Sequence, residues 1–210
     1  MLLIIGNKRY SSWSLRPWLL MKQFEIPFEE KLIPLDVPQT AKEILQYSPS
    51  GKVPALIDGD LTIWESLAIM EYLNEKYPAK KMWPADAKKR AWARSISNEM
   101  HGGFQNMREH LSHDLKKQLK DFDWSPAKAD IERVKEIWTQ CLKKSNGPFL
   151  FGEFSIADAM YAPVVNRFVS YGVPVTGEVA KYVETVRSLP AHKLWIEQAL
   201  AEELRMPRYE

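Results

Sequence analysis

Three serines crowd a short segment near the start of the chain. Ser11, Ser12 and Ser14 follow an apolar run and open a segment with helical character. A helix N-terminus carries free N–H groups and partial positive charge, so it favours a bound anion. A serine hydroxyl there can donate a hydrogen bond to a bound thiolate and lower the pKa of its thiol. Ser11 or Ser12 is therefore a candidate catalytic residue, although helix capping alone would also explain the serines.

Two further segments could hold a peptide-like ligand. Lys52, Val53 and Pro54 precede an apolar strand, and the proline indicates a fixed turn whose Val–Pro peptide bond we predict to be cis. The residue before such a turn can present its backbone N–H and C=O to a ligand. Glu65 and Ser66 lie where a predicted hairpin passes into a helix, and they could bind the amine and carboxylate of an amino-acid head group. Helix capping is again the alternative.

Strand and helix patterns alternate in the first third of the chain. The predicted strands cover 2–5, 28–35, 53–57 and 61–64, and the predicted helices cover 14–24, 40–47 and 65–77. The order is a βαβ unit followed by a ββα unit. Pro78, Pro84 and the lack of periodicity around them indicate a boundary. We therefore expect one domain at 1–78, a linker at 79–86 and a second domain at 87–210.

Helical periodicity continues through the second domain. Apolar residues recur every three or four positions from Trp92 to Leu111, which predicts one long helix. Further helices are predicted around 131–142, 178–188 and 191–204. Ser155 and Asp158 have the spacing of a capping box at the start of another helix. The predicted fold is an α/β unit followed by an all-α bundle.

Composition narrows the classes of function. Of 210 residues, 45% are hydrophobic and the net charge is only +2, which gives no reason to expect nucleic-acid binding. No apolar run approaches the ~20 residues that cross a membrane, and no signal peptide is apparent. We expect a soluble, cytoplasmic protein. The single cysteine, Cys141, excludes an intrachain disulfide and lies on an apolar helix stripe, which favours a core position.

The histidines do not form a metal motif. His110 and His113 are three residues apart, but lysines follow them, and we predict that they lie on a solvent-exposed helix face. We expect no metal.

Taken in order, these motifs resemble those of the glutathione S-transferase superfamily. Val53–Pro54 resembles its Val-cis-Pro pair, and Glu65–Ser66 begins a segment similar to its (Glu/Gln)-Ser-x-Ala-Ile segment. The serine segment looks most like the Ser-Ser-Cys-Ser-Trp-Arg signature of the zeta class, with Trp13 in place of the cysteine. Arg16 follows Ser11 at the spacing of the serine-type classes.

The resemblance implies a thioredoxin-like domain that binds glutathione, followed by a helical domain. Glutathione would be the co-substrate, bound through Lys52, Val53, Pro54, Glu65 and Ser66. Its thiolate, held by Ser11 or Ser12, would attack a small, largely apolar electrophile, as in detoxification. The second substrate would contact residues of the first helix and of the long helix, and the candidates are Trp13, Met100, His101, Phe104, Met107 and Arg108. Met100, Phe104, Met107 and Arg108 could equally be core or surface residues, and a core position is the better expectation for the methionines. The family resemblance also implies a homodimer.

Three other functions stay open. Trp13 in place of the zeta-class cysteine weakens, without removing, a glutathione-dependent cis-trans isomerase of the maleylacetoacetate isomerase type. A serine at position 11 argues against thiol–disulfide reductase chemistry, because no mixed disulfide can form there. A peroxidase-like activity would need the same thiolate. A non-catalytic binding protein could keep the fold without turnover.

Overall fold

The N-terminal part of the chain is a mixed sheet with helices. The computed structural model describes residues 1–206 and 209. Its strands are β1 (Leu2–Ile5), β2 (Glu29–Leu32), β3 (Ala55–Asp58) and β4 (Leu61–Trp64), and the helices among them are α1 (Ser12–Gln23), α2 (Thr40–Leu45) and α3 (Ser66–Lys76). The strand order is β2–β1–β3–β4, with β1 parallel to β2 and antiparallel to β3, which is antiparallel to β4. The predicted βαβ–ββα order is confirmed.

The C-terminal part is helical. Its helices are α4 (Ala87–Gly102), α5 (Gln105–His110), α6 (Lys128–Lys144), α7 (Ile156–Ser170), α8 (Gly177–Ser188) and α9 (Pro190–Ala201). Helix α1 packs against both α3 and α7, so it belongs to the core of each half. The buried Arg16 of α1 donates from Nε to the carbonyl oxygen of Met160 in α7, 3.2 Å away. The fold is a thioredoxin-like domain followed by a helical domain.

The prediction of one long helix from 92 to 111 is wrong. Helix α4 ends at Gly102, and α5 begins at Gln105 after a sharp change of direction. Phe104 has φ 60°, which no α-helix allows, and a Cβ at Gly103 would lie 2.6 Å from the carbonyl oxygen of Glu99. The apolar spacing continues across the break because both helices bury residues in the same core.

Helix α1 starts earlier than the sequence indicated. It begins at Ser12, with Ser11 as the N-cap, rather than near Ser14. Pro17 therefore lies in the second turn of the helix rather than in the first, and it has no N–H to donate to the carbonyl of Trp13.

The capping box at the start of α7 is present and buried. Asp158 accepts hydrogen bonds from the backbone N–H and the hydroxyl of Ser155, both at 2.9 Å. Its other oxygen accepts from the N–H of Leu150 at 3.1 Å. Both Ser155 and Asp158 are buried, so the carboxylate joins the helix to the preceding turn.

Replacing Asp158 with alanine is expected to destabilise the protein by about 3 kcal/mol or more, because three donors would lose their buried acceptor. Ser155→Ala removes one hydroxyl and should cost only about 1 kcal/mol. Urea unfolding of both variants, followed by far-ultraviolet circular dichroism, measures the difference. Equal losses in the two variants would contradict this assignment of the cap.

No helix among residues 1–206 and 209 combines the length and apolar character needed to cross a membrane.

Candidate functional site

Two adjoining cavities lie where α1 meets the sheet and the helical half. The larger, of about 410 Å³, is lined by the loop before α1 and the start of α1, by the α2 region, by α5 and the loop after it, by α7, and by Met206 and Tyr209 near the end of the chain. The smaller, of about 230 Å³, extends toward the start of α3. Trp13, Lys52 and Val53 line both cavities. The sequence segments expected to do chemistry are therefore brought together.

The two candidate serines have different surroundings. Ser11 is only 6% exposed, and its hydroxyl donates to the hydroxyl oxygen of Ser14 at 2.8 Å while accepting from the Ser14 N–H at 3.3 Å. The Ser14 oxygen also accepts from the Gly6 N–H, 3.1 Å away. Ser12 lines the larger cavity at the first position of α1, and its hydroxyl makes no hydrogen bond within the described part of the chain. Ser12 is thus the serine whose hydroxyl is available to a ligand.

The turn before β3 has the predicted geometry. The Val53–Pro54 peptide bond is cis, as expected from the sequence. Lys52 and Val53 line both cavities, and Pro54 lines the smaller one. The backbone of Val53 is therefore placed where a peptide-like ligand could pair with it.

Glu65 and Ser66 are not explained by helix capping. Glu65 occupies the N-cap position of α3, but its side chain makes no capping hydrogen bond and is 48% exposed. Its backbone has φ 67°, a costly conformation for a residue with a Cβ. Ser66 is fully buried, and its hydroxyl has no hydrogen-bond partner in the described residues. Both line the smaller cavity, so a polar ligand there could satisfy them.

His101 packs beside Trp13, which lines both cavities. His101 Nε2 lies 3.3 Å from the Glu65 carboxylate, and its ring meets the edge of Trp13 with centroids 5.3 Å apart. Burial, together with the charge of Arg16, lowers the pKa of His101 below its ordinary value. The indole of Trp13 also lies under two guanidinium groups, Arg16 at 4.2 Å and Arg108 at 4.6 Å from its ring centroid.

Three residues expected to contact a second substrate are core residues instead. Met100 is 1% exposed, Phe104 7% and Met107 fully buried, and all three pack in the main hydrophobic cluster away from both cavities. The break between α4 and α5 turns them inward. Arg108, on the same short helix, does line the larger cavity.

Other residues of the cavity were not predicted. Ser112, His113 and Arg167 line its helical wall. The expectation that His113 lies on an exposed helix face is wrong, because α5 ends at His110 and the following loop buries His113 to 4% exposure. Burial lowers the pKa of its imidazole well below the ordinary value. No sequence motif pointed to Arg167, which lies in α7, far along the chain from the other site residues.

Cys141 is a core residue, as the sequence indicated. It is 1% exposed, and burial raises the pKa of its thiol to about 12, so it stays protonated and unreactive. Among residues 1–206 and 209, no three His, Cys, Asp or Glu side chains are grouped as metal ligands would be.

Comparison with known proteins agrees with this architecture. Residues 10–76 match the family "Glutathione S-transferase, N-terminal domain", and residues 99–198 match "Glutathione S-transferase, C-terminal domain". Glutathione S-transferase 1 of Dianthus caryophyllus is 32% identical over 77% of this chain and 75% of its own length. Maleylacetoacetate isomerase of Rattus norvegicus is 33% identical over 73% of this chain and 71% of its own length.

A solved structure extends the comparison to the whole fold. A Burkholderia glutathione transferase homologue with bound glutathione superposes with a TM-score of 0.74 and 26% identity, covering 96% of this chain and 98% of that one. The zeta-like detail of the serine segment is not settled by these relatives. The two matched domains, the relatives aligned over about three quarters of their length and the shared fold show that this chain belongs to the glutathione S-transferase family, a family of transferase enzymes.

Proposed function

We propose that the smaller cavity binds the γ-glutamyl group of glutathione and that the larger cavity holds its sulfur beside Ser12. The main support for this proposal is the buried hydroxyl of Ser66, which has no hydrogen-bond partner in the described residues. Buried polar groups are normally hydrogen-bonded, so a ligand atom in the cavity is the expected partner. The γ-glutamyl carboxylate would accept from this hydroxyl and from the first N–H groups of α3. Glu65, free of any capping bond, would accept from the γ-glutamyl amine.

The rest of the tripeptide follows the cavity wall. The backbone of Val53 would pair with the cysteinyl residue, with Pro54 fixing the turn. Lys52 lines both cavities and can attract the glycyl carboxylate. This arrangement directs the thiol toward the N-terminus of α1.

Catalysis would rest on ionisation of that thiol. Ser12 donates a hydrogen bond to the sulfur, and the positive end of α1 stabilises the thiolate. The thiolate then attacks an electrophilic carbon of a small substrate in the larger cavity, forming a C–S bond. The electron pair leaves with a departing group or moves into a conjugated carbonyl, and the thiol proton returns through water. Trp13 lines the same cavity and would contact that substrate. His101 would position the side chains of Glu65 and Trp13, both of which it contacts.

This function is tested by binding and turnover together. Calorimetry should show one glutathione per chain, and a panel of electrophiles and organic hydroperoxides should reveal glutathione-dependent turnover. Glutathione binding with no turnover of any compound would instead indicate a non-catalytic binding protein, and turnover of hydroperoxides alone would indicate a peroxidase.

A glutathione-dependent isomerase is the second candidate. A relative that covers most of this chain bears the name maleylacetoacetate isomerase, and the paired serines are similar to the zeta signature. In this reaction the thiolate adds to an alkene and leaves again after bond rotation, so the same site serves. Trp13 in place of the zeta cysteine weighs against it. Conversion of a cis-configured oxo-enoate to its trans isomer without consumption of glutathione would favour this candidate.

A homodimer is the expected assembly. Leu61 and Trp64 on the edge strand β4 are 45% and 42% exposed, which is unusual for such large apolar side chains. Sedimentation at micromolar concentration should give a particle of twice the 24.4 kDa chain mass, and Leu61→Glu should shift it toward the monomer. A 24.4 kDa particle for the unaltered protein would reject the dimer.

We also propose the domain division expected from the sequence, with 1–78 binding glutathione, a linker at 79–86 and the helical domain at 87–210, of which 207, 208 and 210 lie outside the described residues. The linker spans the end of α3 to the start of α4 at Ala87. A cytoplasmic location stays a prediction.

A further inference from the structure

Two arginines from separate helices line the larger cavity, and a third lies beside them against Trp13. Arg16 of α1, Arg108 of α5 and Arg167 of α7 form what we call the arginine cluster. The guanidinium carbons of Arg16 and Arg108 lie 4.2 and 4.6 Å from the Trp13 ring centroid. Arg167 donates through one terminal nitrogen to the carbonyl oxygens of Leu111 and Arg108. Arg108 and Arg167 line the cavity together with Ser12.

No carboxylate neutralises this cluster within the described chain. None of the three arginines forms an ion pair there, whereas the nearby Arg9 is paired with Asp114 at 2.6 and 2.8 Å. Asp130 attracts Arg108, but one of its oxygens is taken by the N–H of Met107 at 2.9 Å. Asp36 also lines the cavity, from the loop that precedes α2.

The cationic groups are buried and keep unused donors. Arg16 is fully buried, and both of its terminal nitrogens lack a hydrogen-bond partner in the described residues. Arg167 is 6% exposed, and only one of its guanidinium nitrogens donates to the described chain. Arg108 donates through Nε to Gly103 and through Nη2 to Met100, which leaves Nη1.

Such an arrangement is unfavourable until an anion enters. Burial lowers the pKa of all three guanidinium groups, that of Arg167 to about 10, and repulsion between the arginines lowers the pKa of Arg16 and Arg167 further. A buried charge without a counter-charge is strongly unfavourable, and a ligand carboxylate held by paired N–H donors offsets that cost. The cluster is therefore organised for an anionic group next to the sulfur position.

We propose that Arg108 and Arg167 bind a carboxylate of the second substrate, so that the enzyme prefers electrophiles carrying a carboxylate beside the reacting carbon. This rests on the proposed function. Arg108 and Arg167 lie on the helical wall of the cavity, whereas the proposed contacts of glutathione all come from the N-terminal half. Arg16 contacts Trp13 and lines neither cavity, so it contributes positive electrostatic potential without contacting the substrate.

Benzoylacrylic acid and its methyl ester are suitable matched probes. In both, the thiolate sulfur bonds to the alkene carbon beside the carboxyl group, and the π-electron pair moves to the ketone oxygen as an enolate. Water then donates a proton to the carbon next to the ketone. The proton released when the glutathione thiol ionised replaces the one that water has donated. The two compounds differ only in the charge that the arginines would recognise.

The experiment compares kcat/KM for acid and ester at saturating glutathione, each divided by its uncatalysed rate. We expect the unaltered protein to favour the acid by at least about tenfold, and Arg167→Gln to lower the acid-to-ester ratio by about 10- to 100-fold. Arg167→Lys should keep part of the preference. Arg133→Gln is the matched control, because that half-exposed arginine pairs with Glu99 and Glu136 on the surface and its loss should leave the ratio unchanged.

Several results would overturn the proposal. The proposal is overturned if the unaltered protein gives equal kcat/KM values for acid and ester after division by the uncatalysed rates. That result does not depend on whether the variants fold. A parallel fall of both compounds in Arg167→Gln would mean that the arginine stabilises the thiolate instead. A raised KM for glutathione with an unchanged ratio would assign Arg167 to glutathione. Turnover of neither probe nor any other electrophile would reject the proposed function itself, and the inference with it.

Discussion

Replacing Ser12 with alanine is expected to lower kcat for conjugation by about 100- to 1,000-fold, the loss typical of one decisive donor to a developing or bound anion. Ser12 lines the larger cavity, and its hydroxyl has no partner in the described chain. The bound thiol should become harder to ionise, so its pKa should rise in the variant. Titration of the enzyme–glutathione complex by thiolate ultraviolet absorbance measures that pKa directly, and glutathione affinity should change less than kcat.

Ser11→Ala is the matched control for Ser12→Ala. Ser11 differs from Ser12 by one position, but its hydroxyl is bonded to Ser14 as the cap of α1. Its loss should cost about 0.5–2 kcal/mol of stability and move the thiol pKa little. If Ser11→Ala shifts the pKa and Ser12→Ala does not, the roles are reversed. If neither shifts it, the helix N-terminus alone stabilises the thiolate.

The sequence predicted those parts of the site that depend on local pattern. The serine segment, the Val53–Pro54 turn and the Glu65–Ser66 pair are each contiguous, and each is placed by the strand or helix next to it. The order of elements followed from apolar periodicity and turn residues. Both Ser11 and Ser12 line the larger cavity, but the sequence did not show which hydroxyl is already bonded, because that depends on the contacts of Ser14 with Ser11 and with the N–H of Gly6.

The helical wall of the site was largely missed for a physical reason. Apolar spacing reports which residues face the core, and that spacing is unbroken from α4 into α5, so the reversal at Gly103 and Phe104 left no trace in it. Arg167 becomes part of the site only because α7 packs against α1 and brings it beside Arg108. Such convergence of distant helices is a property of the packed fold.

Glu65→Gln is expected to weaken glutathione binding by about 10- to 100-fold, since it removes a charge-assisted hydrogen bond to the γ-glutamyl amine, typically worth ~1.5–3 kcal/mol. The thermal stability of the free protein should fall by only a few tenths of a kcal/mol, because the Glu65 side chain makes no capping bond and its contact with His101 is partly exposed to solvent. Ser66→Ala should act in the same direction more mildly, because backbone N–H groups still hold the carboxylate.

A carboxylate that truly caps a helix provides the contrast for Glu65. Asp86 accepts from the Lys89 N–H at 2.8 Å at the start of α4, away from both cavities. Asp86→Ala should therefore lower the melting temperature, at a cost of about 1 kcal/mol, and leave glutathione affinity unchanged. Calorimetric titration with glutathione and thermal melts of the three variants separate the two behaviours. Unchanged affinity in both Glu65→Gln and Ser66→Ala would mean that glutathione does not occupy the smaller cavity, because no other residue there offers its amine a carboxylate within the described lining.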